Sequence, residues 1–162
     1  MQDINYLSPH FQLREFTESA TARRYGIVNK PPAEAVENLR ALCVNTLEPL
    51  REAIGLPTII TSGFRTKALN DRLAHASSTS QHMRGEAADF YVGKGNREEL
   101  IKAFREILQN PGIDFDQVIL YPTFIHVSFV SKERNRHGIL KAQGNGKLGY
   151  GRLTVANALL IS

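Results

Sequence analysis

With 162 residues, 42% of them apolar and 22% charged, the chain has the size and composition of one water-soluble domain built around a single core. Its one cysteine, Cys43, excludes an internal disulfide and a cysteine-rich zinc site, so any metal must be held mainly by His and carboxylate ligands. No run of about 18 apolar residues exists, which excludes a helical membrane span. The net charge of +4 and pI near 9.4 favour attraction to a polyanion, either a nucleic acid or an anionic cell wall.

The N-terminal stretch MQDINYLSPHF has no charged segment followed by an apolar one, so no secretory signal is expected, and a target outside the cytoplasm would require delivery by another agent. HFQLREFTESATARRYGIVNKPP reads as short helical or irregular pieces that end at Gly26 and run into Pro31 and Pro32. Proline suits the start of the next helix because its missing N–H would be unpaired there anyway. From Ala33 to Ile54, Val36, Leu39, Leu42, Cys43, Leu47, Leu50 and Ile54 recur mostly at three- and four-residue steps, the mark of one helix face. Pro49 lies inside this pattern and should kink or divide it.

LPTIITSGF, with β-branched Thr58, Ile59, Ile60 and Thr61 between Pro57 and Gly63, predicts a buried strand, and TKALNDRLA a short helix. EAADFYV is a second strand. NREELIKAFREILQN is the clearest helix, with Asn96 as N-cap, Glu99 in the capping-box position and Pro111-Gly112 as a stop. FDQVILY and FIHVSFV, joined through Pro122 and Thr123, predict an antiparallel hairpin. SKERNRHGILKAQGNGKLGYGRL, rich in Gly and basic residues, is expected to be mostly loop, followed by a weak apolar segment. With no repeat, low-complexity tract or linker, residues 1–162 are expected to form one α+β domain, with helices packed on a small, mainly antiparallel sheet.

Five histidines occur: His10, His75, His82, His126 and His137. His75 and His137 read as solvated or at best secondary, and His10 has no evident partner. His126 interrupts an apolar strand, where a polar group facing the core needs a partner. His82 stands before a glycine turn and Asp89 in the strand after it. Alternation puts Ala87, Asp89 and Tyr91 on one face of the first strand, and Phe124, His126 and Ser128 on one face of the second. If the strands are neighbours, Asp89 and His126 converge and the turn through Gly85 can bring His82 over them. Two imidazoles and one carboxylate would make an open zinc site with a fourth position for water.

TSGFRT, STSQHMRGEAADF and FIHVSF resemble the zinc D-alanyl-D-alanine carboxypeptidases and L-alanyl-D-glutamate endopeptidases of peptidoglycan, family fifteen of the metallopeptidases. The family pattern Ser-x-His-x-x-Gly-x-Ala-x-Asp is met by Ser80, His82, Gly85, Ala87 and Asp89. FQLREFTESATARRYGIVNKPP and NLRALCVNTLEPLREAIG are similar to its compact, phage-associated branch, so the resemblance covers most of the chain. It implies a hedgehog/DD-peptidase fold, one zinc ion held by His82, Asp89 and His126, and a peptidoglycan or muropeptide substrate; a nucleic-acid-binding domain rests only on net charge, without a recognisable motif, so no nucleic-acid partner is expected. It further implies that Arg65 meets a substrate carboxylate or the developing oxyanion, and that Ser80 and Gln81 position substrate, although Ser80 could also cap the turn.

One departure from the family stands out. Relatives carry a catalytic glutamate or histidine shortly before the last zinc histidine, whereas QVILYPTFIH has neither a carboxylate nor a second imidazole there. With a Pro122-Thr123 loop, Tyr121 pairs with Phe124 and shares the face of His126, where it could donate to the oxyanion or simply pack at the hairpin end. A phenol with a pKa of about 10 is a poor base near neutrality. Alternation turns Glu86 away, and Asp116 stands at the far end of the hairpin strand, so the general base is unassigned. The departure opens a second reading, a zinc-containing peptidoglycan-binding or structural module without hydrolysis. The basic segment Lys132 to Arg136 reads as a solvated face or as a patch with affinity for an anionic wall.

Overall fold

Two short strands, β1 (Tyr6–Ser8) and β2 (Phe11–Gln12), and two short helices, α1 (Leu13–Thr17) and α2 (Ala20–Arg24), form the N-terminal stretch in the computed structural model, which describes residues 5–74, 76–143 and 150–162. The long apolar pattern that follows is divided, as Pro49 requires. α3 (Ala33–Leu42) passes through a π-helical turn, Cys43–Leu47, into α4 (Glu48–Ile54). Proline offers no N–H to the α ladder and its ring crowds the carbonyl four residues back, so the wider turn ahead of it relieves the clash. Leu39, Leu42, Leu47 and Leu50 stay fully buried through the change of pitch.

The remaining elements are β3 (Thr58–Ser62), α5 (Lys67–Arg72), a 3-10 turn (Gln81–Arg84), β4 (Ala87–Val92), α6 (Arg97–Gln109), β5 (Gln117–Leu120), β6 (Ile125–Ser128), β7 (Gly138–Ala142), β8 (Tyr150–Arg152) and α7 (Val155–Ala158). The class is α+β. Three expectations need correction. The main sheet is larger than expected, with six strands in the order β3-β4-β6-β5-β7-β8, and it is mixed: four of its five pairings are antiparallel and β7 runs parallel to β5. Its last two strands come from the C-terminal segment expected to be loop. A strand there buries little more than Ile139, so it shows no alternating pattern and exists because β5 offers an open edge. β3 is an edge strand rather than a buried one, with Ile59 38% exposed, because β4 covers only one of its sides.

The hairpin β5–β6 forms as expected, with Ile119 opposite His126 and the Tyr121 N–H donating to the Phe124 carbonyl at 3.0 Å. Asn96 caps α6 by accepting from the Glu99 N–H at 2.9 Å, but Glu99 does not close a box on Asn96; it reaches back to the Lys94 N–H at 2.7 Å. Alternation divides the sheet into two faces. Ala88, Phe90, Val92, Val118, Leu120, Ile125 and Val127 are buried in one cluster with Leu39, Leu50, Leu100, Phe104 and Ile107 of the helices. Asp89, Ile119 and His126 point to the opposite face, where a cleft opens. Among the described residues no helix is long and apolar enough to cross a membrane.

Candidate metal centre

Strand register brings the first two predicted donors together: Asp89 of β4 stands directly opposite His126 of β6. His82 reaches them from the 3-10 turn, which ends at Gly85 in the left-handed conformation (φ +72°). A side chain at Gly85 would also overlap the Ala35 carbonyl of α3, so the turn lies closer to that helix than any other residue allows.

His82 is 3% exposed. Its Nδ1 lies 2.7 Å from the Gly63 carbonyl, which can only accept, so Nδ1 carries the proton and Nε2 the lone pair. The Arg65 N–H donates in return to the His82 carbonyl at 3.0 Å. The two segments TSGFRT and STSQHMRG therefore hold each other by hydrogen bonds in both directions. His82 Nε2 is 3.4 Å from Asp89 Oδ1, and His126 Nδ1 is 2.8 Å from the same oxygen. The two imidazoles meet edge to face with centroids 5.2 Å apart. One donor atom from each of His82, Asp89 and His126 lies within 4.8 Å of the others, a group that can hold a metal ion.

Burial draws the His82 imidazole below its ordinary value against the pull of Asp89, which favours the neutral ring that metal binding requires. Burial pushes the Asp89 carboxyl up, but the two imidazoles outweigh it and hold Asp89 well below the usual carboxylate range. Arg65 borders the group. Its Nη2 is 3.6 Å from Asp89 Oδ2, its Nε and Nη2 are 3.2 and 3.1 Å from Ser62 Oγ, and its Nη1 is 3.3 Å from Asn70 Oδ1. Burial lowers the guanidinium pKa and Asp89 opposes the shift; arginine stays charged regardless.

Around this group the cleft encloses about 880 Å³, the upper part of the range for ligand clefts, and Ser80, Gln81, Tyr121 and Phe124 are among its lining residues. The Tyr121 ring stacks on Phe124 with centroids 4.3 Å apart and planes 10° from parallel, so it does pack at the hairpin end while also facing the cleft. Ser80 Oγ accepts from the His82 N–H at 3.3 Å and so caps the 3-10 turn. Gln81 Nε2 lies 3.1 Å from Asp116 Oδ2 and 3.4 Å from Glu86 Oε2. Carboxylates only accept, so this fixes the amide with both N–H groups inward and Oε1 as its remaining acceptor.

Two carboxylates that sequence reasoning set aside line this cleft. Glu86 precedes the first residue of β4, so strand alternation does not govern it; its Oε2 accepts from Arg84 Nε and Nη2 at 3.1 and 3.0 Å. Asp116, 1% exposed, binds Arg136 through the backbone N–H at 2.8 Å, Nε at 3.0 Å and Nη2 at 2.6 Å. Its only signal in the sequence was a carboxylate wedged between Phe115 and the strand QVIL. The other histidines lie elsewhere: His10 Nδ1 meets buried Glu48 at 2.9 Å, exposed His137 meets Asp114 at 2.9 Å, and His75 lies outside the described residues.

Burial pushes the Asp116 carboxyl up, yet the Arg136 hydrogen bonds bring it down to about 2. A carboxylate held low in the folded state stabilises the fold above its unfolded pKa of about 3.9, and this stabilisation fades as pH falls towards 2. Asp116→Asn should therefore cost about 1–3 kcal/mol at neutral pH, the lower end allowing for the exposure of Arg136. The difference between wild type and variant in urea unfolding should shrink steadily as pH is lowered from about 5. A difference that stays constant with pH contradicts the assignment.

The family assignment agrees with this geometry. Residues 9–128 match the family model Peptidase M15, and the chain belongs to that peptidase family, which implies a peptide substrate. No curated protein matches the chain.

Proposed function

We propose that the protein is a zinc-dependent metallopeptidase that hydrolyses a peptide bond in peptidoglycan stem peptides, as a D,D-carboxypeptidase or an L,D-endopeptidase, on a hedgehog/DD-peptidase type of fold. The observation that carries this reading is the convergence of His82, Asp89 and His126 in a chain of the Peptidase M15 family. Two imidazoles and one carboxylate are donor types that zinc takes in sites with a free fourth position, and metallopeptidases of this family are typically zinc-dependent. Bound there, zinc lowers the pKa of a water and polarises the scissile carbonyl.

The chain's own groups do the rest. The Gly63 carbonyl keeps the His82 tautomer that leaves Nε2 as a ligand atom. Arg65, held by Ser62 and Asn70, presents a fixed guanidinium to the oxyanion or to a substrate carboxylate, and Tyr121 offers a second donor from the hairpin end. Gln81 Oε1 accepts from a substrate N–H, and Ser80 lines the same wall. On this reading the chain is a single monomeric domain that reaches the wall by delivery or on lysis.

The reading without hydrolysis has its own support. Among the described residues, the cleft carboxylates apart from Asp89 are Glu86 and Asp116, and each faces an arginine instead of standing free as a base. Incubating the zinc-loaded protein with purified peptidoglycan separates the two. The peptidase yields fragments with new free amines by mass spectrometry. A chain that retains one zinc and binds the wall but releases no amine is the non-hydrolytic module.

A further inference from the structure

The sheet face that carries the metal group continues past it. A second cavity of about 400 Å³ opens there, lined by Thr61, Tyr91, Lys94, Gly95, Thr123 and Phe124. Strand register explains its place: Asp89 stands opposite His126 and Phe90 opposite Ile125, so the next positions in line are Tyr91 and Phe124. Tyr91 shares the face of Asp89 two residues further along β4, a step of about 7 Å. Phe124 lines both this cavity and the metal cleft, so the two meet at that residue.

Hydrogen bonds fix the walls of the cavity. Thr61 Oγ1 donates to the Asp89 carbonyl at 3.2 Å, which joins one wall to a residue of the metal group and leaves the hydroxyl oxygen as an acceptor. The turn after β4 is held by the Gly93 N–H on the Pro57 carbonyl at 2.9 Å, the Lys94 N–H on Glu99 Oε2 at 2.7 Å and the Gly95 N–H on the Val92 carbonyl at 3.0 Å. A Cβ at Gly95 would stand 3.1 Å from Tyr91 Cδ2, so the absence of a side chain there keeps the ring uncovered. The Phe124 ring is backed by Tyr121, 4.3 Å away between centroids.

We infer that this cavity is a subsite for a sugar ring of the glycan strand that carries the stem peptide. For its ligand the inference rests on the peptidoglycan reading. A pyranose presents a face of C–H bonds and an edge of hydroxyls. The negative faces of the Tyr91 and Phe124 rings suit the first. The Thr61 and Thr123 hydroxyls and the Lys94 ammonium, which can only donate, suit the second. An apolar side chain of a peptide would instead strip water from these three polar groups without pairing them. The step of about 7 Å from Asp89 is the length of two extended residues, so a sugar attached within that distance of the cleaved bond reaches the cavity.

The test uses the zinc-loaded full chain and two substrates with the same stem peptide, one on its disaccharide and the other with an N-acetyl group in place of the sugar. Wild type should show kcat/KM about tenfold higher for the disaccharide form, expressed mainly in KM because the sugar is held alike before and during the reaction. Tyr91→Ala should bring the ratio close to one, and Tyr91→Phe, which keeps the ring, should retain most of it. Thr123→Ala combined with Lys94→Ala, both at exposed positions that carry little of the fold, should lower the ratio to about three. Tyr25→Ala, at an exposed tyrosine outside the cavity, should leave it intact. A ratio unaltered in Tyr91→Ala and in the double variant, or lost equally in Tyr25→Ala, overturns the inference. So does an equal gain when the acetylated peptide is lengthened by two residues in place of the sugar, which would assign the cavity to peptide. If neither substrate is cleaved, the peptidase reading fails, and the preference is read from fluorescence anisotropy of the two labelled compounds. Equal binding of both then overturns the sugar subsite, and tighter binding of the disaccharide form that is lost in Tyr91→Ala upholds it.

Discussion

Exchanging His82 for alanine should remove stoichiometric zinc from the purified protein and lower hydrolysis of muropeptides by about a thousandfold or more. Two donors remain, Asp89 and His126, and two ligands do not hold the ion in an open site against water. The fold should suffer less than the chemistry. The substitution leaves the Gly63 carbonyl without its 2.7 Å donor and opens a gap in a position only 3% exposed, a cost of about 2–3 kcal/mol. His82→Asn keeps a polar group near that carbonyl and should recover part of the stability without the zinc. Circular dichroism of both variants separates loss of metal from loss of fold. One zinc per chain by elemental analysis in His82→Ala, with activity intact, would sink the assignment.

Much of this site was legible because it obeys strand arithmetic. A period of two puts Asp89 and His126 on one face, and once β4 pairs with β6 they can only meet. The spacing from His82 to Asp89 holds one tight glycine turn, so the third donor followed. Features made by distant partners left no such trace. Asp116 and Arg136 are 20 residues apart, and His10 and Glu48 are 38 apart, with no periodicity linking either pair. Glu86 differs for another reason: it precedes the first residue of β4, where strand alternation does not yet hold, and so it faces the cleft. β7 depends on an open edge of β5, a tertiary fact, and its own residues argue only weakly for a strand. Helix division at Pro49 was readable, but the π turn that carries it out depends on keeping Leu39, Leu47 and Leu50 buried on both sides.

Gly85→Ala should be far more damaging than the same change at Gly55, although both glycines are left-handed, at φ +72° and +66°. Gly55 ends α4 with nothing within 4 Å of the added carbon, so alanine there costs only the conformational penalty, about 1 kcal/mol. At Gly85 the same carbon meets the Ala35 backbone carbonyl, which cannot rotate aside as a side chain could. Relief requires moving the 3-10 turn off α3, and that turn carries His82 and Gln81. We expect a loss of about 3 kcal/mol or more in urea unfolding, and zinc affinity lower by roughly 10–100-fold because the donor is displaced rather than removed. Gly85→Asn should not rescue, since asparagine tolerates the left-handed backbone but still brings a Cβ against the carbonyl. Equal destabilisation at the two positions, with zinc affinity unchanged, would mean that backbone conformation alone explains Gly85. The close packing of the turn on α3 would then have no part in aiming His82 at Asp89 and His126.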